Sequence, residues 1–392
     1  MHRDRDHTLN EARLSAADDN SVCAPDDSRF MELALSLGRR GLGRTAPNPA
    51  VGAVVVRHDG IGGATIVGRG WTQPGGRPHA EVEALRQAGE AARGATLYVT
   101  LEPCSHIGRG PPCADAAMAA GIRRVVSAME DPNPAVSGSG HARLRAAGIA
   151  VDVGVAAAAA REAHAGHILR MQEHRPLVIL KMAVSVDGKV ALPGCRPVAI
   201  SGEEARAHVH LMRAQSDVIL IGIGTAQADD PLLTCRLPGM ADRSPIRVVI
   251  DTRLELPLSG RLAQTAREAP VWLITTGGFD ERKAHALRAR GVEILSVDAG
   301  ARPDIRCSLR LLSERGITRL LVEGGPRISA AFLRAGLVDE VVLLRGPAEI
   351  GLDGIDAFDH LPLEAVTASA EFALKNVEQI GHDTIETFAR RE

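Results

Sequence analysis

From Arg29 onward the apolar residues of this chain alternate between two spacings. Phe30–Gly38 carries them at helical intervals and ends at a glycine. Val51–Val56 is a short valine-rich strand entered through the turn Pro47-Asn48-Pro49. The pattern then predicts a helix over His79–Ala88, a strand over Ala95–Leu101, a helix over Ala114–Ala120 closed by Gly121, and a strand over Arg124–Met129 cut short by Asp131-Pro132-Asn133-Pro134. After an alanine-rich helix a second unit opens near Arg175-Pro176. It has a buried-type strand at Leu177–Ala183, a helix at Ser201–Ala214, and strands at Val218–Gly222, Ile246–Ile250, Val271–Thr275, Arg319–Val322 and Val341–Leu344. Strands alternating with helices predict an α/β class with a mainly parallel sheet. The expected division is a flexible tail over 1–28, one unit over 29–174 and a second over 175–392. No repeat of 20–50 residues appears, which excludes a solenoid.

Composition narrows the function. At roughly 150 residues per domain, 392 residues accommodate two or three domains. Lys and Arg number 46 against 48 Asp and Glu, so the broad positive field of a non-specific nucleic-acid binder is absent. Two Trp, one Tyr and six Phe leave few platforms for stacking single-stranded bases. The N-terminal stretch is polar and lacks the apolar core of a secretory signal, and no run approaches the ~18 apolar residues of a membrane helix. Six cysteines in so long a chain do not form a disulfide framework, so a cytoplasmic location is expected.

The sharpest chemical signal is His79-Ala80-Glu81 at a helix start, followed by Pro103-Cys104 and by Cys113 at the start of another helix. A catalytic zinc takes three protein ligands and leaves a fourth position to water; His79, Cys104 and Cys113 supply three. Two thiolates and a neutral imidazole balance the +2 charge, and a helix N-terminus favours thiolate. Glu81, two residues from His79, can reach that water without ligating and move its proton to a leaving amine. The alternative is a structural zinc with His106 as fourth ligand, which leaves Glu81 without a role. The His-x-Glu and Pro-Cys arrangement resembles the zinc nucleobase deaminases, although eight residues, rather than two, separate the cysteines.

That insert extends the resemblance. Glu102-Pro103-Cys104-Ser105-His106-Ile107-Gly108-Arg109-Gly110-Pro111-Pro112-Cys113 is similar to the deaminase half of the bifunctional pyrimidine deaminase–reductases of riboflavin biosynthesis. So are Ala46-Pro47-Asn48-Pro49-Ala50-Val51-Gly52, His79-Ala80-Glu81-Val82 and Asp131-Pro132-Asn133-Pro134. Gly110 stands where the family usually has Thr. The resemblance implies a cytidine-deaminase-like N-terminal domain that hydrolyses the exocyclic amine of a phosphoribosylamino-pyrimidine. Asn48, His106, Arg109, Asp131 and Asn133 would hold the substrate. From spacing alone, Asn48 and Asn133 read equally as turn residues and Arg109 as a solvated charge.

In the second unit, Arg319-Leu320-Leu321-Val322 reads as a strand, Glu323-Gly324-Gly325-Pro326 as a turn and Arg327–Ala335 as a helix. Backbone N–H groups at such a helix start suit a diphosphate, though on pattern alone an ordinary strand–helix turn is the stronger reading. Lys181-Met182-Ala183-Val184-Ser185-Val186-Asp187-Gly188-Lys189 resembles the opening of the family's dihydrofolate-reductase-like domain. Ile221-Gly222-Ile223-Gly224-Thr225 with Asp229-Asp230-Pro231-Leu232-Leu233-Thr234-Cys235-Arg236, and Val322-Glu323-Gly324-Gly325-Pro326, match its further blocks. The implied reaction reduces the ribosyl group of the deaminated product to ribityl with NADPH. Lys181 and Glu323 are the candidates for polarising or protonating the opened sugar, a core ion pair being the alternative. Arg213 and Arg236 would grip the substrate phosphate unless they are ordinary surface charge, with Pro197, Leu233 and Glu323 also facing substrate. Ala183, Ala199, Thr225, Asp229, Thr252 and the run Gly325, Pro326, Arg327, Ile328, Ser329, Ala330, Ala331 would hold NADPH, and Arg253 its 2′-phosphate.

The family's Ser-x-Trp before an Ile-Thr-Gly turn is here Pro197-Val198-Ala199 before Ile200-Ser201-Gly202, and Arg345-Gly346-Pro347-Ala348-Glu349-Ile350-Gly351 follows its Ala-Pro-x-x-x-Gly pattern loosely. The expectation is a working enzyme with Zn2+ and NADPH, a small-molecule substrate, no nucleic-acid or membrane partner, and a homo-oligomeric state. Two other readings are a deaminase whose second domain serves only binding or oligomerisation, and a nucleic-acid-editing deaminase, which charge and aromatic content oppose.

Overall fold

The computed structural model describes residues 25–60, 62–108, 110–192, 198–297, 300 and 303–391; most of the expected tail, Arg109 and Pro197 lie outside them. The first sheet contains β1 (Gly52–His58), β2 (Ala64–Trp71), β3 (Thr96–Val99), β4 (Arg124–Ser127) and β5 (Ala150–Val153), in the order β2-β1-β3-β4-β5. β1 pairs antiparallel with β2 and β3, whereas β3, β4 and β5 are parallel. This mixed sheet corrects the mainly parallel expectation for the first unit. The short turn after His58 can only return an antiparallel strand, while β3–β4 and β4–β5 are joined through helices Cys113–Ala119 and Ser139–Ala146. β2 escaped the pattern because its glycines and exposed first half blunt the alternation.

Each sheet face carries helices. Val54, Val56, Tyr98 and Val126 pack against Phe30, Met31, Ala34 and Leu35 of the helix Pro25–Gly38. Ala53, Val55, Leu97 and Val125 pack against Ala84, Leu85, Ala114 and Ala117. Successive side chains of one strand thus serve opposite layers.

That first helix begins at Pro25, earlier than expected, because Asp27 is drawn into the fold. Its buried carboxylate accepts hydrogen bonds from Tyr98 Oη at 2.6 Å and from Arg124 Nη1 and Nη2 at 2.9 and 2.8 Å. Burial alone raises its pKa, but the bonds from Arg124 and Tyr98 outweigh it and hold the carboxyl below its usual range. Stability from this group is therefore complete above the unfolded value near ~3.9 and is lost as pH falls through the lower folded value. Asp27→Asn is expected to destabilise the fold by about 2 kcal/mol at neutral pH, with the gap to wild type narrowing in acid. Denaturant unfolding at several pH values checks this; identical stability at neutral pH contradicts it.

The second unit contains β6 (Leu177–Val184), β7 (Lys189–Ala191), β8 (Val218–Gly222), β9 (Ile246–Ile250), β10 (Val271–Thr275), β11 (Val292–Ser296), β12 (Arg319–Val322), β13 (Glu340–Arg345), β14 (Ile355–Asp356), β15 (Phe372–Ile380) and β16 (Asp383–Arg390). Nine of these strands form one sheet in the order β11-β10-β9-β8-β12-β6-β13-β16-β15, and β7 pairs separately with β14. The pairs from β11 to β13 are parallel, and the C-terminal hairpin β15–β16 closes the sheet antiparallel. Buried apolar clusters cover both faces of the parallel part, which is why β6, β8 and β12 read as unbroken hydrophobic runs. β8 and β12 lie side by side, so the turns leaving their C-terminal ends, at Gly222–Gly224 and Glu323–Pro326, meet where the strand order reverses. The helices Ala157–Ala163 and Ala165–Gln172 connect the two sheets. Arg44 pairs with Asp242 at 2.9 Å across the seam, and Arg243 donates to the carbonyls of Arg40 and Leu42 at 3.1 and 3.0 Å.

Candidate active sites

The helix Ala80–Ala88 sits low on β2 because Gly68 and Gly70 let it. A Cβ at Gly70 would lie 2.2 Å from the Ala80 carbonyl oxygen, and one at Gly68 2.1 Å from that of Ala84. His79 caps this helix and Cys113 opens the helix Cys113–Ala119. Cys104, in the loop after β3, faces both. His79 Nδ1 lies 3.3 Å from Cys113 Sγ and 3.7 Å from Cys104 Sγ, and the three ligand atoms fall within 4.8 Å of one another. A tetrahedral zinc with bonds of about 2.0 Å to nitrogen and about 2.3 Å to sulfur needs edges of roughly 3.5–3.8 Å, so this donor set fits the ion. His106 is exposed and outside the group, so among the described residues the ligand set stops at three, with a fourth position open.

The electrostatics suit the same ion. A hydrogen bond from Cys113 pushes Cys104 down to about 4, aided by His79, while that same contact, burial and Glu81 push the Cys113 thiol up. A divalent cation would favour the thiolate form of both sulfurs, since it is the thiolate that ligates. The contact with Cys104 also raises His79. Glu81, in the first helical turn, is buried, and burial raises its pKa.

The expected substrate residues gather around this centre to different degrees. Asn48 Nδ2 donates to the Gly76 carbonyl at 2.8 Å and lies 3.3 Å from His79 Nε2. Asp131 and Asn133 share a loop: Asp131 Oδ1 accepts from Asn133 N at 2.9 Å, and Asn133 Oδ1 is used in a turn with Ala135 N at 3.1 Å. Buried Glu102 ties that loop to the metal segment, accepting from Asp131 N, Gly138 N and Gly140 N at 3.1, 2.9 and 2.7 Å. Its neighbours Pro103-Cys104 were conspicuous in the sequence; its partners, some thirty residues onward, carried no spacing signal. Arg77 was also missed. A Cβ on Gly108 would meet its Nη2 at 2.8 Å, so its guanidinium lies against the insert loop.

In the second unit Glu323 is the hub. Arg213 donates Nε to Oε1 at 2.7 Å and Nη2 to Oε2 at 2.9 Å, and Lys181 Nζ stands 3.9 Å from Oε2. Arg213 is thus engaged by the Glu323 carboxylate through Nε and Nη2. Burial raises Glu323, but Arg213 and Lys181 more than offset it and hold it below the usual carboxylate range. Burial, with some help from Arg213, lowers Lys181 against the pull of Glu323. Arg236 is exposed; burial of part of its guanidinium, then Arg213 and Arg261, lower its pKa. Two nearby cations disfavouring its charge make this a place where an anion is welcome. Arg261, distant in sequence, was not foreseen. Leu233 is buried with φ +57, so it shapes this loop through its backbone.

The dinucleotide candidates converge at the paired turns. Thr225 Oγ1 accepts from Gly325 N at 3.0 Å, and a Cβ at Gly224 would meet nothing within 4 Å. The first N–H groups of the helix Pro326–Arg334 have no acceptor within it, and Arg327 is exposed beside them. This open, donor-lined corner fits a diphosphate. Ser329 and Ala330 lie one turn further along that helix. Both are buried on the helix's inner face, with Ser329 Oγ donating to the Gly324 carbonyl at 3.3 Å. Asp229 ends the facing helix Ile223–Asp229, and the Thr252 carbonyl accepts from Thr275 Oγ1 at 2.9 Å. Arg253 is exposed and paired with Glu255 at 3.1 Å. Ala183 is half-buried on β6, and Ala199 is exposed with no ring to lay on a cofactor.

Known proteins resemble the chain over both units. Residues 24–129 match the cytidine and deoxycytidylate deaminase zinc-binding region, and residues 176–385 match the RibD C-terminal domain. The riboflavin biosynthesis protein RibD of Aquifex aeolicus is 42% identical over 364 residues, covering 93% of this chain and 98% of the relative. The chain belongs to the RibD family of riboflavin biosynthesis proteins. RibD of Escherichia coli K12 is 39% identical over 91% of this chain and 97% of its own. The Acinetobacter baumannii RibD structure superposes with a TM-score of 0.82 at 36% identity, covering 93% of this chain and 99% of that one. A Thermotoga maritima diaminohydroxyphosphoribosylaminopyrimidine deaminase and 5-amino-6-(5-phosphoribosylamino)uracil reductase superposes at 0.80 with 35% identity over 93% and 99%.

As a RibD protein the chain is a bifunctional enzyme of riboflavin biosynthesis, with a cytidine-deaminase-like domain followed by a dihydrofolate-reductase-like one. Its cofactors are Zn2+ and NADPH, and it acts on a small molecule. Among the described residues no helix is long and apolar enough to cross a membrane.

Proposed function

We propose that residues 29–174 deaminate a diaminopyrimidinone carrying a phosphoribosylamino group and that residues 175–392 then reduce its ribosyl chain to ribityl. Three ligand atoms within 4.8 Å beside a buried carboxylate carry the first assignment. His79, Cys104 and Cys113 would hold zinc, whose Lewis acidity makes water a nucleophile at neutral pH. Asn48, Asp131, His106 and Arg109 hold the substrate, the exposed His106 at the mouth. Glu81 takes the proton from the attacking water and delivers it to the departing amine, which leaves as ammonia. Its raised pKa suits a group that must both accept and release a proton.

In the second unit Arg236 and Arg261 receive the substrate phosphate, and Leu233 turns the loop that presents Arg236. Thr225, Asp229, Gly325, Pro326 and Arg327 face NADPH, which supplies the hydride. Lys181 supplies the matching proton to the opened sugar, and Glu323, held by Arg213, keeps Lys181 in place. Copies of the chain associate, a reading supported by the exposed edge strand β15 with Leu374 and Val377 open to solvent. The free cysteines suit a reducing cytoplasm.

The test follows ammonia release and NADPH oxidation in parallel on the pyrimidine substrate, with and without a zinc chelator. Stripping the metal is expected to stop ammonia release and the NADPH oxidation that depends on it, while reduction of substrate already deaminated continues. Ammonia release untouched by metal removal would refute the first half. Ammonia release with no NADPH consumed would refute the second.

A further inference from the structure

We propose that His167, on the helix joining the two units, is a positioning residue for deamination: it holds the Asp131 carboxylate in place, and the reductase unit sets its own position. This rests on the reading of Asp131 as a substrate-holding group. His167 Nε2 lies 3.2 Å from Asp131 Oδ1. An ionised carboxylate only accepts, so Nε2 carries the proton. His167 Nδ1 is buried and has no hydrogen-bond partner among the described residues, so the contact with Asp131 is the ring's one polar bond. Asp131 Oδ1 is thereby engaged by His167 and Asn133 N, and among the described residues no hydrogen bond takes up the other oxygen, Oδ2, which can meet a ligand.

The neighbouring turn of chain repeats the arrangement. His164 Nε2 lies 3.0 Å from Thr100 Oγ1, which in turn accepts from Gly52 N at 3.1 Å, just ahead of the Glu102-Pro103-Cys104 segment. One edge of this connecting stretch therefore braces both the loop bearing Asp131 and the strand end leading to the metal ligands.

The opposite edge is seated on the second unit. A Cβ at Gly166 would lie 2.4 Å from the Thr318 carbonyl oxygen, so the helix backbone lies directly against the residue that precedes β12. Arg170 Nε donates to the Ser313 carbonyl at 3.0 Å. Thr318 is itself immobilised by Asp217, whose Oδ2 accepts from Thr318 N, Thr318 Oγ1 and Arg319 N at 2.8, 2.7 and 2.9 Å. β12 ends one residue before Glu323. His167 thus reaches the deamination site from a helix whose resting place belongs to the reductase fold.

The experiment uses the full chain loaded with zinc and separates KM from kcat for ammonia release. His167→Leu is expected to raise KM for the pyrimidine about tenfold, leave kcat within about twofold, and leave zinc content and reduction of deaminated substrate unchanged. His167→Gln, whose amide nitrogen can reproduce the Nε2 donor, is expected to recover most of the loss. Gly166→Ala, which touches neither the metal nor Asp131, is expected to raise the same KM by pushing the helix off Thr318. Wild-type KM in both His167→Leu and Gly166→Ala, alongside a raised KM in Asp131→Asn, overturns the proposal alone. So does a loss confined to zinc content and kcat. An unchanged KM in Asp131→Asn overturns the reading of Asp131, and the proposal falls with it.

Discussion

Glu81→Gln is expected to lower ammonia release by about 10²–10⁴-fold, the usual worth of a positioned proton carrier. Glutamine keeps the size and much of the polarity of the buried side chain but cannot take a proton from water. Among the described residues, His79, Cys104 and Cys113 form the ligand group, and Asp131 is read as holding the substrate, its Oδ1 bound to Asn133 N and His167. Glutamine can keep the contact of this side chain with Cys113, so zinc content is expected to remain at wild type. So is NADPH oxidation on substrate already deaminated, because Lys181, Glu323 and the paired turns lie in the other sheet. Metal analysis and the two half-reaction assays on one preparation check this. Ammonia release at the wild-type rate removes Glu81 from the mechanism.

The mirror experiment is Lys181→Met, for which NADPH oxidation is expected to fall about 10²-fold or more while ammonia release is unchanged. Methionine matches the length of the lysine stem without a proton to give. The fold should tolerate it, because Glu323 keeps its two bonds from Arg213, at 2.7 and 2.9 Å, whereas the lysine contact is a longer 3.9 Å. Removing Glu323 instead would strand two cations in a buried place, a loss of several kcal/mol that confuses folding with chemistry. An undiminished rate of reduction in Lys181→Met assigns the proton to another group and leaves Lys181 as one arm of a core ion pair.

Much of the candidate site was legible along the chain, for identifiable reasons. His79 and Glu81 are two residues apart, and a helix start is a local event, so their juxtaposition needs no tertiary information. Parallel strands such as Val218–Gly222 and Arg319–Val322 emerged at their observed limits because burial on both faces leaves an unbroken apolar run. β2 and β15 did not emerge, since an exposed edge strand carries no such run. Arg213 carried no sign of its partner for a related reason. Its residue type suits a phosphate as well as a carboxylate, and only the fold brings Glu323, 110 residues away, into contact with it.

What the amino-acid order indicated by itself was therefore the set of candidates: a His and two Cys with zinc-ligand character and a Glu beside them, glycine turns after buried strands, and two α/β units. Each depends on residues close together in the chain or on hydrophobic period, both local properties. Which charges pair with each other was visible only in three dimensions. So were the tethering of the Asp131 loop by Glu102 and His167 and the burial of Ser329 and Ala330. A charged side chain's role is set by its nearest partner and its access to water, and in this protein those partners come from distant strands and from the other unit.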